Sequence, residues 1–133
     1  MWNKKKHSYG LKKLGYVTLG NSVQIIGENA FMGNDLGEII IPDSVITIGD
    51  NAFIGNKLSS VTFGNSVTTI GQSAFMNNKL SSVTIPNSVR TINKDTFLSN
   101  KITKVTMPKR FKGRKDIFDP SKSWLGDITF TYI

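Results

Sequence analysis

The amino-acid sequence predicts a mainly β solenoid of about five stacked coils, and three observations support this fold class. A unit of 22 residues recurs four times between Leu14 and Lys101. Apolar residues occupy the same places in every unit, and some of them alternate with the two-residue period of a strand. Glycine, proline and asparagine recur between them, where turns need them. One unit has only about six or seven apolar positions, so it must stack on its neighbours to bury them.

The first part of each unit is predicted to be a strand of a parallel sheet. The four copies begin LGYVTLG, LGEIIIP, LSSVTFG and LSSVTIP. Their valine or isoleucine and the apolar residue two places later should point inward, and glycine or proline should end the strand. We therefore expect strands near residues 16–19, 38–41, 60–63, 82–85, 104–107 and 127–131.

The rest of the unit is predicted to return the chain to the sheet. A second extended piece such as "SVTTI" precedes Gly27, Gly49 or Gly71, where glycine suggests a positive φ. The following "ENAFMGN" or "DNAFIGN" indicates a short helical turn that buries a phenylalanine. The closing asparagine column is predicted to cap backbone groups, and it consists of Asn34, Asn56, Asn78 and Asn100.

The ends of the chain differ from the repeats and suggest three segments. Residues 1–13 form a basic lead-in with half a repeat, in which Ser8 and Tyr9 stand where later copies have Ala and Phe. Residues 14–101 are the four repeats. Residues 102–133 are a degenerate basic repeat and a capping strand. In this last segment Ile117 and Phe118 are out of register, while Leu125, Ile128 and Phe130 regain the Leu–Val–Ile spacing.

Composition excludes several kinds of site. The chain has 133 residues, enough for one domain, and no cysteine, so it has neither disulfides nor thiolate metal ligands. The longest aliphatic run is Ile39–Ile41, far short of a membrane span. No apolar region follows Lys4–Lys6, so no signal peptide is visible. The net charge is +8, with both ends basic and residues 14–100 at −2.

Nothing in the sequence indicates catalysis, so we expect no enzymatic activity, cofactor or metal site. General acid–base chemistry needs convergent titratable groups. Glu28 and Asp50 share a column of turn residues with Gln72 and Lys94, which is typical of solvated turns. The single histidine, His7, lies outside the repeats.

The outward side of the predicted sheet is the first candidate binding surface. Adjacent rungs lie about 4.8 Å apart, so four steps span roughly 19 Å, enough for an extended peptide or a glycan. Alternatively, serine and threonine occur here only because they suit any solvent-facing strand. A regular threonine ladder also suggests ice binding, as a lesser alternative. Tyr16 and Glu38 are therefore the best contact candidates. The two outward columns are Tyr16, Glu38, Ser60, Ser82 and Lys104, and Thr18, Ile40, Thr62, Thr84 and Thr106.

The basic C-terminal segment is the second candidate surface. It could bind a polyanion, such as a nucleic acid, a glycan or an anionic cell-wall polymer. Alternatively it is a solvated cap whose charges keep the last coil soluble and protect an open sheet edge. Asp116 and Asp119 weaken the patch. Its candidate residues are Lys109, Arg110, Lys112, Arg114 and Lys115.

The repeats resemble a known family. "LSSVTIPNSVRTI" and "SVITIGDNAFIGN" are similar to the BspA-like leucine-rich repeats, whose pattern is L-x-x-[VI]-x-[IL]-P-x-x-V-x-x-I-G-x-x-A-F. The resemblance covers about Ser8 to Lys101, although asparagine stands near the place where many members carry cysteine. It implies a right-handed leucine-rich-repeat solenoid with a parallel sheet on one face. It also implies protein binding or adhesion at a bacterial surface or after secretion, and it carries no catalytic residues.

Overall fold

The chain winds into a solenoid in which each coil contains at most two short strands. The computed structural model describes residues 12–118 and 127–133, so Ser8, Tyr9, Asp119 and Leu125 lie outside the described residues. We number the coils from the leucine or isoleucine that begins each unit: coil 1 is 14–35, coil 2 is 36–57, coil 3 is 58–79, coil 4 is 80–101, and coil 5 begins at Ile102.

The strands form a front face and a rear face, and all of their pairings are parallel. The front strands are β2 (Glu38–Ile40), β4 (Ser60–Thr62), β6 (Ser82–Thr84), β8 (Lys104–Met107) and β9 (Thr129–Tyr132). The rear strands are β1 (Ile25–Ile26), β3 (Thr47–Ile48), β5 (Thr69–Ile70) and β7 (Thr91–Ile92). Up to β8, paired residues are one 22-residue unit apart, as in Ile48↔Ile70. The predicted mainly β solenoid with parallel sheets is confirmed.

The two faces differ in continuity. The rear ladder runs without a break through β1, β3, β5 and β7. The front face is divided into β2–β4 and β6–β8–β9, and within the described residues no ladder joins β4 to β6. This gap coincides with Phe63, the bulkiest residue of its column, whose ring meets Phe75 edge-on at 5.5 Å. Val61 is only half-buried there, whereas Val83 on β6 is buried.

The first predicted strand, at 16–19, is wrong. No ladder joins these residues to β2 in the described part of the chain. They belong to the outermost described coil, where Val17 and Leu19 are only half-buried. Coil 1 is nevertheless anchored at its start, because Asp35 N donates to Leu14 O at 2.9 Å. The strands at 38, 60, 82 and 104 begin as predicted.

The final strand is present but its register differs from the prediction. Phe130 pairs with Val105, and Tyr132 pairs with Met107. The Leu–Val–Ile spacing instead predicts that Ile128 pairs with Val105 and Phe130 with Met107, so the observed register is shifted by two residues. Because the shift is an even number, the inward side chains stay inward.

The predicted helical turns are also wrong, since residues 27–33 and their counterparts form consecutive β-turns. Ala30 N donates to Gly27 O, and Met32 N donates to Asn29 O, both at 3.2 Å. A left-handed residue between them stops helix propagation, and this residue is Asn29, Asn51, Ser73 or Asp95 at φ 58–61°. Asparagine and aspartate tolerate this conformation best after glycine.

Two 3-10 helices lie entirely within the described residues, Lys109–Phe111 and Lys115–Ile117. Both lie in coil 5. In the described part of the chain, no helix combines the length and the apolar character that crossing a membrane requires.

Phenylalanine rings stack through the middle of the core. Consecutive ring centroids lie 5.3, 5.2, 5.7 and 5.9 Å apart along Phe31, Phe53, Phe75, Phe97 and Phe118. Phe118 is 21 residues after Phe97 rather than 22, so coil 5 keeps the stack by omitting one residue. The predicted phenylalanine column is thus confirmed, and it extends one coil further.

Candidate interaction surface

The outward columns of the front face are solvent-exposed, as predicted. Register places Glu38 beside Ser60, and Ile40 beside Thr62. Beyond the gap, Ser82 lies beside Lys104, and Thr84 lies beside Thr106. All of these side chains are exposed except Thr106, which is half-buried. The gap between β4 and β6 therefore divides the surface into an N-terminal and a C-terminal half.

The N-terminal half carries the apolar character. Tyr16 is 83% exposed and Ile40 is 64% exposed. Thr18 is exposed as well, although Tyr16 and Thr18 lie on the extended segment before β2 rather than on a strand. A tyrosine exposed before β2, and a glutamate and an isoleucine exposed on β2, offer a partner both apolar area and one charge.

The C-terminal half is longer than the sequence indicated. Thr129 pairs with Lys104 and Thr131 pairs with Thr106, so both columns continue onto β9, and both threonines are exposed. The alternation of polar and apolar residues in "DITFTYI" was the available signal. This alternation predicts a strand, but it does not fix which residues of β8 pair with it, because coil 5 departs from the 22-residue period.

The basic C-terminal candidates divide into two groups. Lys109, Lys112 and Lys115 are exposed. The two arginines are instead held against coil 4. Arg110 Nη1 donates to Asn87 O at 3.1 Å and to Val89 O at 2.9 Å, and Arg114 Nη2 donates to Ile92 O at 2.9 Å.

The Arg114 contact covers the open edge of the rear ladder, and Arg110 binds the segment just before β7. At earlier rungs, the equivalent carbonyl accepts from the next coil's backbone: Ile48 O accepts from Gly71 N, and Ile70 O accepts from Asn93 N. Coil 5 has no rear strand among the described residues, and the Arg114 guanidinium takes the place of the missing backbone donor. Edge carbonyls are thereby satisfied rather than left open to another chain.

Arg114 is itself oriented by Asp116. Its Nε and Nη2 donate to Oδ1 and Oδ2 of Asp116, both at 2.8 Å. This bidentate hydrogen bonding lowers the pKa of Asp116 below its ordinary value and raises the pKa of Arg114. The pair is about two-fifths exposed, so its main effect is geometric.

The asparagine column is confirmed as a capping ladder. Asn78 Oδ1 accepts from Leu58 N at 3.0 Å, and its Nδ2 donates to Phe53 O and Phe75 O at 3.0 and 3.1 Å. Each such amide thus binds its own coil and the preceding one. Asn56 and Asn100 repeat the pattern and are buried.

The turn column offers no catalytic geometry in the described residues. Glu28, Asp50, Gln72 and Lys94 are exposed, and Asp50 Oδ1 accepts from Gln72 N at 2.8 Å. Within residues 12–118 and 127–133, no three acidic or histidine side chains are grouped as metal ligands.

Stacked parallel coils, four of which begin with leucine, together with an asparagine ladder and a phenylalanine stack define a leucine-rich-repeat protein. A family model described as a BspA-type leucine-rich repeat region, with six copies, matches residues 5–123. The chain therefore belongs to the BspA-type leucine-rich repeat family. No curated protein and no solved structure matches it significantly.

Proposed function

We propose that the chain is a non-enzymatic module that binds a protein or peptide partner on its front face, in a cell-surface or adhesion role. Leucine-rich repeats are generally protein-interaction modules, and the family is often surface-associated. The single observation that carries the choice of face is the exposed group of Tyr16, Glu38 and Ile40.

This group has the composition of a binding hot spot. Tyrosine contributes large contact area with few torsions to fix, and protein interfaces are enriched in aromatic residues. An exposed isoleucine beside it has no packing role in the core and gains free energy when a partner covers it. The neighbouring serine and threonine columns allow a partner strand to lie across the rungs without steric conflict.

The test uses a displayed library of random peptides selected on the wild-type chain. Peptides that bind the front face should lose about tenfold or more in affinity for the Tyr16→Ala, Ile40→Ser double variant. The matched control is Ile25→Ser, which removes an equally exposed isoleucine (68% exposed) from the rear face. Equal binding to the double variant, or loss with the rear-face control alone, would reject the proposed face.

A second candidate function is polyanion binding through the C-terminal segment. It is supported by the exposure of Lys109, Lys112 and Lys115. Arg110 and Arg114 contribute less, because their guanidinium groups are already bound to coil 4. Changing the three lysines to glutamine, with both arginines kept, should abolish retention on heparin at physiological salt. Unchanged retention would dismiss this segment.

A further inference from the structure

A column of lysines runs beside the front strands, one place before the conserved leucines. The 22-residue step puts Lys13, Asp35, Lys57, Lys79 and Lys101 at the same place in successive units. All four lysines of the column are exposed. The column adjoins Lys104, which faces outward from β8.

The backbone of this column is fixed at every rung. Lys57 N donates to Leu36 O, Lys79 N to Leu58 O, and Lys101 N to Leu80 O, at 3.0, 2.9 and 3.2 Å. These bonds continue past the gap between β4 and β6. The lysines therefore follow one another at the rung spacing of about 4.8 Å.

Toward the C-terminal end of the column, the positive charges of the lysines are not balanced by nearby carboxylates. Lys57 Nζ lies 3.5 Å from Asp35 Oδ1. In the described residues, no carboxylate lies within 4.0 Å of Lys79, Lys101 or Lys104. Like charges on neighbouring rungs repel one another, so an anion that bridges them gains more than it would at one isolated lysine.

Charge along the solenoid orients such a ligand. Residues 14–57 carry five acidic and one basic side chain, whereas residues 58–118 carry ten basic and two acidic. Residues 1–13, before coil 1, carry five further lysines and no acidic side chain. An acidic polymer is therefore attracted more strongly to coils 3 to 5 than to coils 1 and 2. The free lysines lie in this attractive region.

The side chains around the lysines match a polysaccharide better than a nucleic acid. Hydroxyl groups form parallel columns beside them, including Ser81, Ser82 and Thr84. Single-stranded nucleic acids are usually held by aromatic rings on which the bases stack. The exposed large apolar side chains of the described chain include no aromatic residue between coils 3 and 5, since Tyr16 is the exposed aromatic and lies in coil 1.

We propose that the C-terminal half of the front side binds an acidic polysaccharide. Its carboxylate or sulfate groups contact Lys79, Lys101 and Lys104, and its sugar hydroxyls hydrogen-bond to the serine and threonine columns. This site is separate from the protein-binding group at Tyr16, Glu38 and Ile40. It also differs from the second candidate site, which consists of Lys109, Lys112 and Lys115 and follows β8 along coil 5.

The test compares two triple variants with the same change in net charge. One is Lys79→Gln, Lys101→Gln, Lys104→Gln. The matched control is Lys12→Gln, Arg90→Gln, Lys94→Gln, which removes three exposed basic side chains elsewhere. Binding of heparin oligosaccharides and of hyaluronan is titrated at several salt concentrations, and equal melting temperatures confirm that both variants fold.

The column variant should lose about tenfold or more in affinity and show a weaker salt dependence, while the control stays within about twofold. Loss with heparin alone identifies sulfate as the bound group, and loss with both glycans identifies carboxylate as sufficient. Equal losses in the two variants would overturn the proposal, because net charge alone would then explain binding. Tighter binding of single-stranded DNA than of either glycan would overturn it too, as would a loss seen only when Lys109, Lys112 and Lys115 are changed.

Discussion

At Gly71, glycine is required because the backbone of the preceding coil lies too close to leave room for a Cβ, not because its φ is positive. The sequence suggested a positive φ at Gly27, Gly49 and Gly71, but the glycines with positive φ are Gly33, Gly55 and Gly113. A Cβ at Gly71 would instead lie 2.5 Å from Asp50 N, and one at Gly49 would lie 2.7 Å from Glu28 N. A repeated glycine indicates a constraint, but periodicity alone does not distinguish these two causes.

Gly71→Ala should therefore lower the free energy of unfolding by about 1–3 kcal/mol, because backbone must move to admit the methyl group. Gly27→Ala is the matched control, since a Cβ there has no other heavy atom within 4 Å. Urea unfolding of both variants measures the difference. A larger loss in the Gly27 variant would contradict the close-approach explanation.

The asparagine column was predictable to the residue, because a polar group that recurs every 22 residues beside buried phenylalanines must satisfy backbone atoms. Asn78→Ala leaves Leu58 N buried without its acceptor, whereas Phe53 O still accepts from Asn56 Nδ2 at 3.1 Å. We expect a loss of about 1–3 kcal/mol in stability, the cost of one buried unsatisfied group. Asn34→Ala should cost less, because Asn34 is only half-buried; thermal or urea unfolding compares the two.

At the scale of elements, strands within the array were predictable and those at its ends were not. β2, β4 and β6 begin where alternation placed them, because each is defined by a neighbour with the same sequence pattern. The segment at 16–19 has the same pattern but packs less deeply, and it forms no ladder with β2. β9 pairs with β8, but its register depends on the length of coil 5. Coil 5 does not follow the 22-residue pattern, so the other copies do not predict that register.

The closed edge of the rear ladder gives the prediction for this scale. Arg110→Ala with Arg114→Ala should remove the donor to Ile92 O on β7 and uncover Val89 O just before it, and so open the edge for pairing with another chain. We expect concentration-dependent association by analytical ultracentrifugation. The lysine variant at 109, 112 and 115 serves as the control, because it removes more charge and leaves the edge closed. Association of that control alone would mean that charge, rather than edge capping, keeps the chains apart.

At the scale of the whole molecule, stability is carried from coil to coil. Each phenylalanine of the stack meets the rings of the adjacent coils, so the array is expected to behave as a sum of coils and interfaces between them. Phe75 lies in the middle and is buried, whereas Phe31 is half-buried in coil 1. A truncation in the middle removes ring contacts on both sides, and one in coil 1 leaves most of the stack intact.

Phe75→Ala should consequently cost about 3–5 kcal/mol, and Phe31→Ala clearly less. Differential scanning calorimetry of the two variants tests this. Comparable losses would contradict a nearest-neighbour array and would indicate that the molecule unfolds only as one cooperative unit.

Function was less predictable than fold for a physical reason. The 22-residue pattern specifies what must be the same in each coil, and binding depends on what differs between coils. Tyr16, Glu38 and Ile40 could be singled out as departures from the serine and threonine columns. The lysine column does not stand out in the sequence, because it recurs nearly as regularly as the core residues. The arginine contacts depend on the three-dimensional path of coil 5, which departs from the repeat.

The interrupted front ladder also has a mechanical consequence. Backbone hydrogen bonds resist the separation of coils along the rear, but between β4 and β6 the front strands have no such bonds in the described residues. We therefore expect a bending force to meet less backbone resistance at the front of this seam than at its rear, where β5 and β7 remain paired. A stiff ligand that spans both halves of the front face would then fix the curvature of the molecule.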